Sequence, residues 1–443
     1  MTTHKLLSCL VIVLLLCSSA VAERKTQYPK DAKLIVWGTV KEVVHEESNE
    51  YDRYRIKILV ENKERGYIRV DGRITNAKEI WATCFSRKAS APLVPSASGH
   101  TGVPEEGQFI RALLMNQRDG AYEGIYPDWF HTLELTEEQL VALRWVQSIG
   151  PGCYLACNDD LPGSPVTKMY TFKMWKSGVG DEHMKYAAVF PDLRSLSLYY
   201  SQVRSAGFQQ IAELEKLEEL ILGGIGGGIK DEDIEPLAGS KSLQKIDLMN
   251  SGVTDRAMLF FSTIPTLRSL NLVGTKVTDA GLGKIKGHPA LESLSLNGQS
   301  FTDLGMTYLS QIKTLKRLQV SGAAISGEGL GALLNLRLEV LDLRGCRTDA
   351  SGLKRLGDMS ELRKLNLHNT KATDDVMKEV AKLAKLEELT IQGTAVTDKG
   401  FLLLKNCPKL RQVWFHGLNI RAEAVDELKA ALPRCKLNNI MIE

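Results

Sequence analysis

A leucine pattern that returns at a nearly constant interval constrains this chain more than any other feature. The pattern LxxLxL recurs at steps of 24 residues, except for one step of 26 and one of 23. A single unit of this size cannot bury its own apolar face, and stacked neighbours bury it together. The periodicity predicts an α/β solenoid whose units begin at Met169, Leu193, Leu217, Leu243, Leu267, Leu291, Leu315, Leu338, Leu362, Leu386 and Leu410.

The residues after each LxxLxL segment predict a tight turn. The first of them is Gly or Asn in most units, and both residue types enter left-handed backbone conformations at little cost. A small polar residue follows, which we expect to bond the turn backbone. The two sets are Asn250, Gly274, Gly298, Gly322, Gly345, Asn369, Gly393 and Gly417, and then Ser177, Ser201, Ser251, Thr275, Cys346, Thr370 and Thr394.

A Thr-Asp pair comes next in six units, just before a segment such as AGLGKI. Thr and Asp are preferred helix N-caps, so each pair predicts the start of a helix that returns along the outer side of the solenoid. Capping explains the regular spacing, and we do not interpret these aspartates as catalytic acids. The unit at Leu217 carries extra glycines between Gly223 and Ile229, which indicate a lengthened turn because no Gly-Lys-Ser/Thr follows for a phosphate loop.

The phrase LxxLxLxGTxVTDxGLxxL, carried by residues 267–285 and 386–404, resembles the helix-bearing leucine-rich repeats of the ribonuclease-inhibitor-like and cysteine-containing types, particularly exported bacterial versions. The resemblance covers residues 167–443, about eleven repeats plus a terminal strand. It implies a curved solenoid with parallel strands on the concave face and helices on the convex face. It also implies that other molecules bind on the concave sheet, without identifying them.

The first 22 residues have the layout of a secretory signal peptide. A basic start is followed by the apolar run Leu6–Leu16 and by the small-residue site Ala20-Val21-Ala22. A lipoprotein would need Cys17 as its new N-terminus, and Leu16 fits such a site poorly. No later stretch approaches the ~20 apolar residues of a membrane span. We therefore expect a secreted or periplasmic protein that begins near Glu23.

Residues 23–135 lack the leucine repeat and predict a small antiparallel β barrel, with an OB-like closure as the most specific guess. A Ser, Ala, Pro and Gly-rich loop interrupts it at 88–107. Residues 136–166 open with Thr136 and Gln139 in a capping-box pattern and predict a helix that caps the first repeat. In the alternative, this segment completes the β domain.

The charge and cysteine content exclude several classes of protein. A net charge of +3 with no basic run gives no indication of nucleic-acid binding. Cys153 and Cys157 are close enough in the chain to form a disulfide across a turn, but lack two further ligands for zinc. No sequence motif of a hydrolase, metalloprotease, nucleotide-binding or dinucleotide-binding enzyme appears, so we expect no catalysis, no metal and no cofactor.

Two clusters are the candidate partner-binding sites, because aromatic residues and Arg most often supply interface energy. Both lie at positions expected on the concave face, since successive strand residues point to opposite sides. The first cluster is Trp175, Tyr199 and Tyr200; the second is Asp342, Arg344, His368, Trp414 and His416. His368 and His416 are two units apart, roughly 10 Å, which is too far to share a metal.

The function predicted from the sequence is that of an exported, non-catalytic protein-binding module that uses the concave sheet. Two other hypotheses remain open. Recognition of a cell-envelope component or glycan could lie in the β domain, with the repeats as a scaffold. Acid chemistry by Asp342 with a histidine is the rival enzyme hypothesis. The oligomeric state is not indicated by the sequence.

Overall fold

The computed structural model describes residues 32–47, 51–65, 69–70, 73–74, 77–87, 103–118, 121–124, 130–132, 135–149, 154–156, 171–173, 178–224, 228–297 and 301–439. The chain forms two compact units, Met1–Lys173 and Met174–Glu443. The predicted signal peptide, residues 88–102 of the predicted loop, Trp175 and the Cys153–Cys157 pair lie outside the described residues.

The described part of the first unit contains a six-stranded sheet and a separate two-stranded pair, β3–β4. The strands are β1 (Leu34–Glu47), β2 (Tyr51–Arg65), β3 (Arg69–Val70), β4 (Arg73–Ile74), β5 (Glu79–Arg87), β6 (Phe109–Arg118), β7 (Ala121–Gly124) and β8 (Phe130–Thr132). The sequence pattern predicts strands at 34–44, 54–60, 80–85, 108–115 and 122–129, and β1, β2, β5, β6 and, in the described part of the last range, β7 are present. The short strands β3, β4 and β8 were not predicted.

Five strands of this sheet close into a ring in the order β1-β2-β5-β7-β6-β1, and β8 extends it beyond β6. Four pairs in the ring are antiparallel, whereas β5 and β7 run parallel. The prediction of a purely antiparallel barrel was wrong on this point, because an odd number of strands cannot alternate in direction around a closed ring. A closed five-stranded barrel agrees with the OB-like expectation.

The interior of the barrel is filled by the alternate apolar residues of its strands. Ile56, Ile58 and Val60 of β2 are buried, as are Ile80 and Ala82 of β5. The intervening residues of β2 are polar or partly exposed, which is the alternation expected of a strand with one buried face.

Helix α1 (Glu137–Ile149) and the antiparallel pair β9 (Tyr154–Ala156) and β10 (Thr171–Lys173) complete the described part of the first unit. The predicted capping box is present, since the Gln139 amide donates to Thr136 Oγ1 and the Thr136 amide donates to Gln139 Oε1. Both α1 and β9 contact β2. These contacts favour the alternative in which the segment completes the β domain; the boundaries at residues 135 and 166 stay predictions.

The described part of the second unit contains eleven parallel strands, each paired with the next along the chain. They are β11 (Ser195–Ser197), β12 (Glu219–Ile221), β13 (Lys245–Asp247), β14 (Ser269–Asn271), β15 (Ser293–Asn297), β16 (Arg317–Ser321), β17 (Val340–Asp342), β18 (Lys364–Asn366), β19 (Glu388–Thr390), β20 (Gln412–Trp414) and β21 (Lys436–Asn438). The predicted solenoid is confirmed.

A short helix follows most strands, and it lies on the side of the sheet to which the leucines point. The α-helices are α2 (Lys185–Ala188), α3 (Ser205–Ala212), α4 (Asp231–Ile234), α5 (Ala257–Ser262), α6 (Asp279–Lys284), α7 (Asp303–Leu309), α8 (Gly327–Ala332), α9 (Ala350–Leu353), α10 (Asp374–Val380), α11 (Asp398–Leu402) and α12 (Ala422–Ala431). Five 3-10 helices add to them, at Asp181–His183, Glu235–Leu237, Leu333–Asn335, Lys354–Asp358 and Leu403–Asn406.

The three apolar positions of LxxLxL form the core between the sheet and the helices. Leu267, Leu270 and Leu272 are each 1% exposed, and the same columns are buried in the neighbouring repeats. Burial of this kind contributes roughly 1.5–3 kcal/mol for each side chain. Stacked columns of leucine therefore hold the repeats together.

The predicted left-handed turns are confirmed for the described residues. Positive φ angles occur at Asn250, Gly274, Gly322, Gly345, Asn369, Gly393 and Gly417. The small polar residue that follows donates to a backbone carbonyl at Thr275, Thr370 and Thr394. The equivalent hydroxyls of Ser201 and Ser251 are buried without a partner among the described residues, so the expectation fails at these two positions.

Candidate partner-binding surface

The outward residues of the parallel strands form regular columns across the sheet. Each strand aligns with the next so that Ser197, Ile221, Asp247, Asn271, Ser295, Gln319, Asp342, Asn366, Thr390, Trp414 and Asn438 occupy one column. The leucines on either side point into the core, so these residues point away from it. We call this outward side the concave sheet face.

Tyr199 and Tyr200 follow β11 and form the described part of the first cluster. Their rings meet edge to face, with centroids 4.8 Å apart. Tyr199 lies against Gly223 of the next repeat, where a Cβ atom would come within 2.6 Å of its ring. Burial and the nearby charge of Asp247 raise the pKa of the Tyr199 hydroxyl. Gly223 thus leaves room for the Tyr199 ring, which is a reason for a glycine at this position beyond the lengthened turn.

Tyr200 has an unusual backbone conformation. Its φ angle is +64°, in the column where the other described repeats with a positive φ carry Gly or Asn. For a bulky residue this conformation is a genuine outlier and costs about 1–2 kcal/mol. The residue is also 46% exposed, so its burial does not offset the cost.

Asp342 and Arg344 lie side by side in the second cluster. The Asp342 carboxylate accepts from the Arg344 backbone amide at 2.9 Å and from Asn366 Nδ2 at 3.1 Å. An Arg344 guanidinium nitrogen is 3.6 Å from the same carboxylate. These contacts hold Asp342 as an acceptor in a fixed position. Asp247 and Asn271 repeat the arrangement near the other end of the sheet, with Asn271 Nδ2 donating to Asp247 at 2.9 Å.

His368, His416 and Trp414 complete the second cluster, and all three are half-buried. Backbone bonds keep their repeats aligned: Gly345 donates to His368 O, and Gly393 donates to His416 O. The Nδ1 atom of His368 is buried and makes no hydrogen bond within the described part of the chain. The sequence therefore predicted correctly that these residues share one face, although their role stays a prediction.

The structure does not bring the two clusters together. Tyr199 belongs to the repeat of β11 and Asp342 to β17, which are six strand spacings apart. At ~4.8 Å for each spacing, the separation along the sheet is roughly 29 Å. A ligand that contacts both clusters must be extended or large.

The recurring aspartates link neighbouring repeats. Asp255 accepts from both the backbone amide and the hydroxyl of Thr278, at 2.7 and 2.6 Å. Thr278 in turn caps α6 by accepting from the Ala280 amide at 3.3 Å. The same pairing joins Asp231 to Thr254, Asp279 to Thr302, Asp303 to Ser326 and Asp374 to Thr397. Capping by threonine was predicted; the link formed by aspartate was not.

Charged pairs before the strands have the same structural role. Arg194 bonds Glu218 at 2.9 Å, Arg268 bonds Glu292 at 2.6 Å, and an Arg363 nitrogen lies 2.6 Å from Glu387. The arginine partners lower the pKa of the Glu387 carboxyl and, against an opposing contribution from burial, that of Glu292. Because each cation meets a carboxylate of the next repeat, these residues align repeats rather than present a net charge.

The four described cysteines, Cys84, Cys346, Cys407 and Cys435, are buried and form no disulfide with one another. Burial raises the pKa of Cys84 to about 12 and that of the other three to about 11. Cys346 donates to Val320 O of the preceding repeat, as expected of a structural thiol. A thiol with a raised pKa is a poor nucleophile. The predicted Cys153–Cys157 disulfide stays untested.

The barrel has a second polar surface on the outward side of β2. Arg53, Arg55 and Lys57 alternate there with the buried isoleucines. Arg55 and Lys57 both stand over the ring of Trp81 on β5, at 5.1 and 5.8 Å from its centre. Lys57 also pairs with Glu79 at 3.2 Å. Sequence reasoning missed this cluster because the residues come from two strands whose pairing it did not establish.

Among the described residues, no group of His, Cys, Asp and Glu side chains is arranged to hold a metal ion. Within the same part of the chain, the helices are too short or too polar to cross a membrane.

Two segments of the chain match a known repeat family. A family model described as a leucine-rich repeat matches residues 263–286 and 311–334. No curated protein matches the chain. One similar solved structure is an internalin from Listeria monocytogenes, with 15% sequence identity, a TM-score of 0.44, and coverage of 62% of this chain and 87% of that one. The matched repeats, together with the eleven aligned parallel strands, show that the chain is a leucine-rich-repeat protein.

Proposed function

We propose that this chain is an exported, non-catalytic module that binds a protein partner on its concave sheet face. One observation carries the proposal: Tyr200, in the turn after β11, is exposed and has a left-handed backbone, where five described repeats with the same backbone use Gly and two use Asn. A strained and exposed aromatic residue does not serve stability. Residues with a strained backbone are found most often at functional sites, where the strain is kept because the residue is needed for binding.

The aligned columns support the same proposal. Aromatic and charged groups stand at both ends of the sheet, whereas small polar residues such as Ser295 and Asn271 lie between them. Contact energy in protein interfaces is concentrated in a few aromatic and arginine residues, surrounded by contacts of little energy. Tyr199 with Tyr200, and Arg344 with Trp414, are the anchors that we propose for the partner.

Replacing Tyr200 tests this proposal, because the substitution separates stability from binding. In Tyr200→Gly the chain loses the ring but gains a residue suited to the turn, so we expect stability equal to or up to about 1 kcal/mol above that of the wild type. Capture of the partner from an extract of the source cells, identified by crosslinking and mass spectrometry, should fall at least about tenfold.

Asn250→Gly is the matched control, since it changes the same turn position in another repeat without removing an aromatic ring. It should capture the partner as the wild type does. Equal capture by Tyr200→Gly and the wild type would contradict the proposal, as would equal loss in both variants.

A second candidate function is favoured by the cluster on the barrel. Arg55 and Lys57 over Trp81 form a basic and aromatic surface suited to an acidic glycan of the cell envelope. Binding of the full chain to an immobilised sulfated polysaccharide should then be lost in Arg55→Glu with Lys57→Glu and kept in Tyr200→Gly. Unchanged binding in the barrel variant would exclude this candidate.

Export is part of the proposal and rests on the sequence pattern of residues 1–22. N-terminal sequencing of the protein recovered from its source cells should find a chain that starts near Glu23. The ribonuclease-inhibitor-like subtype is likewise proposed, and it is supported by the helices that follow most strands.

A further inference from the structure

The concave sheet face differs in charge between its two ends. Among the strand residues that point outward, β11–β15 carry one cation, Lys245, against two carboxylates, Glu219 and Asp247. On β16–β21 and the residues that directly follow these strands, four cations face two carboxylates. They are Arg317, Arg344, Lys364 and Lys436, against Asp342 and Glu388. The carboxyl-terminal half of the face therefore has an excess of two positive charges before either histidine is counted.

Part of this positive charge is available to a ligand. Lys364 is paired with Glu388 at 2.8 Å. Asp342 is held by the Arg344 amide and by Asn366, and its contact with the Arg344 guanidinium is longer, at 3.6 Å. About half of the Arg344 side chain is exposed. Arg317 and Lys436 are exposed and make no ion pair with any described residue.

The chemistry of these groups fits carboxylates better than a phosphate polymer. Guanidinium groups bind carboxylates through two parallel hydrogen bonds. Arg317 is the first residue of β16, and Arg344 follows β17, the adjacent strand. The residues between the cations are amides and hydroxyls such as Asn366 and Thr390, which can both donate to and accept from a peptide backbone. A nucleic acid would need a denser array of cations along its backbone.

We propose that the carboxyl-terminal half of the concave sheet face, β16–β21, binds an extended acidic polypeptide segment of the partner through Arg317 and Arg344. Trp414 provides an apolar contact beside the acidic side chains. This inference rests on the proposed function, because it names the chemistry of the partner at the same face.

The test uses synthetic peptides and the full chain. Six strands span roughly 24 Å, so an extended peptide of about twelve residues crosses them with residues to spare. A fluorescent peptide of alternating Glu and Ser should bind, as measured by anisotropy, and a peptide of alternating Lys and Ser should not. Arg344→Gln and Arg317→Gln should each weaken binding roughly ten- to hundredfold, as expected for a lost charge-assisted hydrogen bond.

Lys286→Gln is the matched control, because it removes the same charge from an exposed residue between α6 and β15, off the sheet. It should change the affinity less than about twofold. Thermal unfolding of each variant checks that the fold is kept, and the neutral glutamine avoids placing a second carboxylate beside Asp342.

Three outcomes would overturn the inference: equal weakening in Lys286→Gln, tighter binding of a single-stranded oligonucleotide of the same length, or no binding of the acidic peptide. None of them bears on the proposed function, which is judged by partner capture in Tyr200→Gly and Asn250→Gly.

Discussion

His288 is the one histidine in the described repeats that is almost fully buried, at 5% exposure. Its Nδ1 atom accepts from the amides of Ala290 and Leu291, so this nitrogen carries no proton. The other nitrogen, Nε2, lies 3.0 Å from Ile264 O and donates to it. Burial is the main cause of a lowered pKa for His288, against an opposing contribution from its backbone hydrogen bonds.

This geometry predicts acid-sensitive stability. A proton on Nδ1 would remove the acceptor for two amides, and the unfolded chain takes up that proton more readily than the folded one. The contribution of His288 to the free energy of unfolding is complete above the unfolded pKa of 6.5 and is lost as pH falls through the lower folded value. Urea denaturation of the wild type at pH 7 and pH 5 should show the loss.

His288→Ile is the variant that isolates this effect. The equivalent positions one repeat before and after are Ile264 and Ile312. Their carbonyls accept from the Leu267 and Leu315 amides, which are the counterparts of the Leu291 amide that donates to the His288 ring. The variant should therefore fold and should lose less stability than the wild type between pH 7 and pH 5. An identical pH dependence in the two proteins would show that His288 is not responsible.

Residue types in the turns and caps could be predicted from the sequence because their causes are local. Gly274 is needed for a positive φ, and Thr278 caps the helix that follows it. The role of Asp255 could not, because its partner Thr278 lies 23 residues away and the Thr-Asp pair has an adequate local explanation. Tyr200 was assigned to a site for its ring alone, and its strain is visible only in the backbone.

At the scale of the helix, the glycine that lies three residues after the capping Thr or Ser is explained by the aspartate of the preceding repeat. A Cβ atom on Gly329 would come within 2.3 Å of Asp303 Oδ1 and 2.6 Å of Ile325 Cγ2. The helix therefore approaches its neighbour closely enough for the carboxylate to reach Ser326. Gly281, Gly305 and Gly400 lie against aspartates in the same way.

Two alanine substitutions in α8 test this packing within one helix. Gly329→Ala should destabilise the chain by about 1–3 kcal/mol, because the new methyl group forces the carboxylate or the backbone to move. Gly331→Ala has its nearest contact at 3.5 Å and should be neutral or stabilise by up to about 1 kcal/mol, as alanine does in a helix. Chemical denaturation measures both; the same sign of change in both variants would refute the argument.

The bonds from an aspartate of one repeat to the Thr or Ser of the next form a series that we call the aspartate ladder. This ladder is interrupted between β16 and β18. The residue after Ser326 is Gly327, which packs against Gly352 of the next repeat instead of supplying a carboxylate. Thr348 is buried and donates to Ile325 O, and Asp349 caps its own helix. The Thr373 side chain makes no cap hydrogen bond. Three neighbouring repeats are thus joined without the link that the others have.

At the scale of the whole molecule, this interruption predicts that the interfaces between the repeats of β16, β17 and β18 are less stable than the other interfaces of the solenoid. Repeat proteins open at their least stable interface, and each missing carboxylate link is worth about 1–3 kcal/mol. Amides of α9 should therefore exchange with solvent roughly tenfold or more faster than amides of α7, as measured by hydrogen exchange and mass spectrometry. Equal protection would mean that the Gly327–Gly352 contact joins the repeats as firmly as the ladder does.

The solenoid could be predicted because each repeat shows the same signal, and a local error in one repeat is corrected by its neighbours. The barrel could be predicted only in outline, since its closure depends on which distant strands pair, such as β1 with β6. The surface of Arg55, Lys57 and Trp81 needed that pairing. The columns of the concave sheet face needed only the period, so their members could be identified from the sequence.

The central claim is that the partner lies on the concave sheet face, and site-specific photocrosslinking tests it most directly. A benzophenone amino acid at Ser295, in the middle of the face, is compared with one at Leu304, which is 51% exposed on α7. After irradiation in an extract of the source cells, we expect a covalent partner adduct from position 295 and none from position 304. An adduct from position 304 alone, or equal yields from both positions, would contradict it.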